Sequence, residues 1–110
     1  MGRIALFCMC MAGAAEASEW TVLTGNEIAA ALEGQKLEYT NGAWQDFRKT
    51  GRTLYNAGRD GWGYWNVSGD QYCSMWPPSD LWACYDVHGS GDKIRFVGES
   101  KDVTEGVFIR

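Results

Sequence analysis

The chain has 110 residues, 45% of them hydrophobic, with six tryptophans and a formal net charge of −4. That length suits one small domain built on one core. The acidic balance, without any basic stripe, speaks against nucleic acid and against anionic membrane surfaces as partners.

The N-terminus reads as an export signal. Arg3 is followed by the uncharged apolar run Ile4–Ala14, and Ala15-Glu16-Ala17 before Ser18 offers an A-x-A cleavage site. This is the order of a secretory signal peptide, and the run is short for a bilayer span. The expected layout is a signal peptide over 1–17, cut between Ala17 and Ser18. A single small β-rich domain over 18–110 follows, periplasmic or secreted, with no stable membrane anchor after cleavage. An uncleaved anchor or a buried N-terminal helix is the plainer alternative. Cleavage discards Cys8 and Cys10 and leaves Cys73 and Cys84 as an even pair in an oxidising compartment, where a disulfide is expected. Two cysteines and the single His88 are a poor zinc set, and Cys-x-x-Cys is absent, so neither metal nor other cofactor is expected.

One helix is signalled. Thr24 stands three residues before Glu27 in capping-box spacing, Ile28–Glu33 follows, and Gly34 suits a left-handed helix end. Its apolar side of Ile28, Ala31 and Leu32 is narrow, so the helix must dock on something else.

Everything after Gly34 reads as strands and tight turns. Asn41-Gly42 between Leu37-Glu38-Tyr39 and Trp44–Phe47 is a strong hairpin signal. Lys49-Thr50-Gly51 turns the chain into Thr53-Leu54-Tyr55, and a loop over Gly58–Gly61 leads into Trp62–Ser68. Gly69-Asp70 is a two-residue turn before Gln71–Trp76, and Pro77–Asp80 connects to Leu81–His88. Ile94–Val97 and Val107–Ile109 complete the series. The fold class expected is mostly β (α+β): an antiparallel β-meander of about six to eight short strands, one short N-terminal helix and one cross-strand disulfide.

Turn lengths set the register of the central strands. A two-residue turn at Gly69-Asp70 pairs Val67 with Tyr72 and Trp65 with Ser74, and places Gly63 opposite Trp76. A four-residue loop over Pro77–Asp80 pairs Trp76 with Leu81, Tyr72 with Tyr85, and Cys73 with Cys84. Alternation then sorts the faces. Trp65, Val67, Tyr72, Trp76, Leu81, Tyr85 and Val87 form the core face, with Gly63 leaving room for Trp76. Tyr64, Asn66, Gln71, Cys73, Met75, Trp82, Cys84, Asp86 and His88 form the other.

On that second face, the row Tyr64–Met75–Trp82 is the candidate contact surface, with Trp62, Asp86 and His88 as neighbours and the Pro77–Asp80 loop as the alternative. An aromatic and thioether strip suits a protein or glycan partner, and it also suits a helix packed over it or a second small core. Asp86 and His88 share a face, yet no nucleophile or second carboxylate accompanies them, and no catalytic residues are assigned. Arg48, Lys49, Arg52 and Arg59 gather near two turns, as solvated charge or a small anion site.

Thr24-Gly25-Asn26-Glu27-Ile28, Leu37, Asn41-Gly42, Gly63-Tyr64-Trp65-Asn66-Val67, Tyr72-Cys73 and Cys84-Tyr85 together carry a resemblance. The chain resembles small signal-peptide-bearing exported proteins of proteobacteria, alphaproteobacteria especially, that are grouped under domains of unknown function. The resemblance implies a periplasmic address and a β-meander, and brings no catalytic residues. The expected function is therefore a non-enzymatic binding or interaction module. An inhibitor of an exported hydrolase such as a lysozyme, and a carbohydrate-binding or carbohydrate-active protein, are the alternatives. Partner identity and oligomeric state have no signature in the sequence.

Overall fold

The computed structural model describes residues 19–110. The expected signal peptide and its cleavage site at Ala15, Ala17 and Ser18 lie outside the described residues. Nine strands and one helix follow in chain order: β1 (Thr21–Val22), α1 (Gly25–Leu32), β2 (Gln35–Tyr39), β3 (Trp44–Phe47), β4 (Arg52–Asn56), β5 (Asp60–Ser68), β6 (Gln71–Met75), β7 (Ala83–Ser90), β8 (Lys93–Val97) and β9 (Val103–Phe108).

Strands β2 to β9 form an antiparallel meander in which each pairs with the next. The meander also closes on itself: β9 pairs with β2 through Leu37↔Phe108, Glu38↔Val107 and Tyr39↔Gly106. The result is an eight-stranded barrel, which removes the open edges that an unclosed meander would expose. Short β1 adds outside the ring, taking the edge of β7 at Gly89 and His88, beyond the Tyr72–Ser74 stretch that pairs with that strand.

Helix α1 plugs one end. Thr24 caps it reciprocally with Glu27, and Gly34 follows at φ 74°, as its spacing predicts. The Gly25 N–H donates to Asp70 Oδ1 at 2.7 Å, tying the helix start to the β5–β6 turn. Ile28 and Leu32 are fully buried in one cluster with Leu37, Phe47, Trp65, Val87, Ile94 and Phe108. The narrow apolar side of the helix is thus satisfied by the barrel's own interior.

The central register is the one the turns dictate: Val67↔Tyr72, Trp65↔Ser74, Tyr72↔Tyr85 and Cys73↔Cys84. Cys73 and Cys84 are disulfide-bonded, with Cα atoms 4.0 Å apart. That separation fits the closer of the two antiparallel positions. The bridge closes a loop of 11 residues' separation, which the chain-entropy account values at roughly 2–3 kcal/mol. Replacing both cysteines by serine should lower the free energy of unfolding by about that amount in a denaturant titration.

One part of the register reading is corrected. Strand β7 begins at Ala83, and Leu81, expected in the core opposite Trp76, is 77% exposed. The segment between Met75 and Ala83 leaves the sheet as a longer loop. Cys73 stays opposite Cys84 because the β6–β7 ladder ends at Ser74↔Ala83, two positions short of the expected Trp76 and Leu81 on each strand.

Candidate functional site

The barrel interior changes character from one end to the other. Going away from α1, inward positions pass from Leu37 to Tyr39 on β2, from Phe47 to Gln45 on β3, and from Thr53 to Tyr55 on β4. They pass from Tyr72 to Ser74 on β6, from Val87 to Tyr85 on β7, and from Ile94 to Phe96 on β8. Alternation explains the inward placement, and the change in residue type divides an apolar half from an aromatic and hydroxylated half.

The second half is hollow. A cavity of about 570 Å³ opens at the end opposite the helix, walled by Tyr39, Tyr55, Tyr72, Trp76, Tyr85 and Phe96. Gln45, Ser74, Asp102 and Glu105 also line it. A volume of this size lies within the range of small-molecule sites. Trp76 reaches the wall from the loop after β6, and Gly63 makes this possible. A Cβ on Gly63 would lie 2.5 Å from the Trp76 ring and 2.7 Å from the Met75 carbonyl oxygen. The rings of Tyr55 and Trp76 are 6.0 Å apart, and those of Tyr72 and Phe96 4.8 Å apart.

A buried polar network lies in the wall. The Tyr39 hydroxyl donates to Gln45 Oε1 at 2.5 Å, and Gln45 Nε2 donates to Thr53 Oγ1 at 2.9 Å and to the Tyr72 hydroxyl at 3.1 Å. Burial pushes the Tyr39 hydroxyl far above the ordinary tyrosine range. Burial also pushes Tyr72 up to about 12, partly offset by the neighbouring Ser74 and Gln45 side chains. Both groups stay protonated in the folded state while their unfolded counterparts ionise from about pH 10 upward. The folded state then holds more protons, so stability is fully present below pH 10 and declines above it. The expected slope is about 1.4 kcal/mol per pH unit for each of the two tyrosines. Thermal unfolding followed at several pH values above 10 checks this, and a midpoint independent of pH there would contradict it.

The residues chosen from sequence lie elsewhere. Trp62 and Tyr64 on β5, Met75 on β6 and Trp82 before β7 belong to the outer wall, with Trp62, Tyr64 and Trp82 each at least 40% exposed. The helix does not lie across this row, since it docks at the barrel end. Arg48 and Arg52 place their guanidinium groups over the Trp62 ring at 4.9 and 4.8 Å, and Arg52 also approaches Tyr64 at 5.3 Å. These arginines are therefore held on aromatic faces. Asp86 is exposed and accepts from Gln71 Nε2 at 3.1 Å, while half-buried His88 sits between Val22 and Arg95 in the sheet. Among the described residues no hydrogen bond joins Asp86 to His88, and no three His, Cys, Asp or Glu side chains are placed to hold a metal ion.

Tyr39, Gln45 and Tyr55 carried no signal as site residues, because their strands become one side of a cup only when β9 closes on β2. The fold and cavity define a class: a closed eight-stranded meander barrel, plugged by a helix at one end and open as an aromatic cup at the other. No protein-family model, curated protein or solved structure matches the chain.

Proposed function

We propose that this is an exported, non-enzymatic binding protein that holds a small, largely apolar, ring-bearing molecule in the open end of its barrel. The observation that carries this reading is the aromatic-walled cup of about 570 Å³. Concave, mainly apolar sites with a few placed polar groups are where small molecules bury most of their surface. A periplasmic address is part of the proposal; it rests on the Met1–Ser18 segment and on the Cys73–Cys84 bridge, which suits an oxidising compartment.

The neutral probe N-phenyl-1-naphthylamine tests the reading, since its emission rises in apolar surroundings. Saturable one-site binding, weakened by Trp76→Ala and indifferent to Trp82→Ala, is the expected result. Emission that never saturates, or equal loss in both variants, would move the site off the cup.

A second reading is favoured by one observation: the loop after β6 exposes Leu81 at 77% and Trp82 at 45% beside the disulfide. Such a braced apolar loop suits insertion into a partner, as an inhibitor of an exported hydrolase would require. Titration against a panel of lysozymes tests it, and undiminished activity at stoichiometric excess removes it. The sugar-binding alternative draws less support, because the arginines stacked on Trp62 occupy the face a sugar ring would need.

A further inference from the structure

The hydrogen-bond directions in the cup can be assigned one at a time. The Thr53 hydroxyl donates its one hydrogen to the Asp46 carbonyl at 2.8 Å. It can therefore only accept from Gln45, which places Nε2 toward Thr53 and Oε1 toward Tyr39. The second hydrogen of Nε2 goes to the Tyr72 oxygen. From the other side, the Trp76 indole, a donor only, gives its hydrogen to Ser74 Oγ at 3.3 Å.

Two hydroxyl hydrogens are then left, on Tyr72 and Ser74. They form no direct hydrogen bond with each other, and at most one of the hydrogens could be shared between their oxygens. The other has no acceptor among the described residues. Both side chains are only 4% exposed, and both line the cavity. Whichever way the shared hydrogen points, the cup presents at least one buried donor to whatever fills it. Buried donors without partners are strongly disfavoured, so an occupant that displaces water from the cup must supply the acceptor.

Charge narrows the class further. The cavity lining contains no lysine, arginine or histidine. Its two carboxylates are Glu105, paired with Arg95 at 2.9 Å, and Asp102, folded against Gly98. An anion in the cup would therefore find no compensating cation in the lining.

We propose that the cup selects a neutral ring compound whose buried end is a carbonyl-type acceptor, such as a lactone, ketone or tertiary amide, received by the Tyr72–Ser74 pair. This inference rests on the cup being the binding site. Its test uses three probes of similar two-ring frame, measured by equilibrium dialysis: coumarin, naphthalene and coumarin-3-carboxylate. Coumarin should bind, with its carboxylate about tenfold or more weaker. In the double variant Tyr72→Phe/Ser74→Ala, the preference for coumarin over naphthalene should fall roughly three- to tenfold. Saturable naphthalene binding that persists in the variant shows that it keeps its cup. Should the variant fail to fold, infrared difference spectra of coumarin on the wild-type protein decide the matter. The lactone carbonyl stretch should move to lower wavenumber than in hexane, and an unmoved band overturns the inference. Coumarin and naphthalene bound alike and weakened alike by the variant would also overturn it, while leaving the cup as a binding site. A carboxylate that binds as well as coumarin overturns the neutral class. No binding of any probe up to about 1 mM would remove the cup reading itself.

Discussion

Replacing Phe47 by alanine is expected to destabilise the protein by about 3–5 kcal/mol, the range for deleting a large aromatic side chain from a packed core. Phe47 is fully buried, and its ring lies 5.7 Å from Trp65, 5.8 Å from Tyr72 and 6.4 Å from Phe96. The first two contacts are edge-on, the arrangement that aromatic quadrupoles favour. Phe47 therefore joins the helix-plugged half of the interior to the base of the cup. Neighbouring rings are braced by strands on every side and cannot collapse fully into the space left. For a domain of this size the loss corresponds to a fall in thermal midpoint of about 15 °C or more. A midpoint within a few degrees of wild type would show that the barrel interior repacks freely, contrary to the packing described.

Replacing Gly63 by valine is expected to cost about 3 kcal/mol or more, at the upper end for overpacking. The added carbon meets the Met75 carbonyl as well as the Trp76 ring, and the backbone cannot swing away as a flexible side chain would. The cheaper relaxation is to expel Trp76 from the cup wall. Two readouts should therefore move together: the denaturation midpoint should fall, and tryptophan emission should shift to longer wavelength as Trp76 meets water. The same variant should weaken N-phenyl-1-naphthylamine binding. A stability loss with Trp76 emission and probe binding intact would place the strain elsewhere than the cup.

Both predictions concern the inner face, and much of that face is legible locally. Trp65, Val67, Tyr72, Trp76, Tyr85 and Val87 fall on one side of the sheet once the Gly69-Asp70 turn sets the register. Gly63 is recognisable as the space for Trp76 by the same reasoning. Leu81 is the failure within that set. Alternation was carried through a loop that has already left the sheet, and period-two reasoning has no force where the ladder has ended. The outer row of Tyr64, Met75 and Trp82 is likewise sorted to its face by alternation. Its identity as a contact surface was inferred from residue type alone, and the concave side offers the better-formed site.

Local chemistry in the sequence determined the capped helix, the turns, the meander order and the face-to-face cysteines. Each of these depends on residues close in the chain, where turn length and capping leave few alternatives. The tertiary structure alone decided that the meander closes. The pairing of β2 with β9 joins Leu37 to Phe108 across most of the domain, and no turn length sets such a register. Closure is what turns one sheet face into a lumen, sends the helix to its end, and gathers Tyr39, Gln45, Tyr55, Tyr72 and Ser74 around one cavity. Tyr39, Tyr55, Tyr72 and Tyr85 acquire a common direction only there, around the opening, while the apolar end is plugged by the helix.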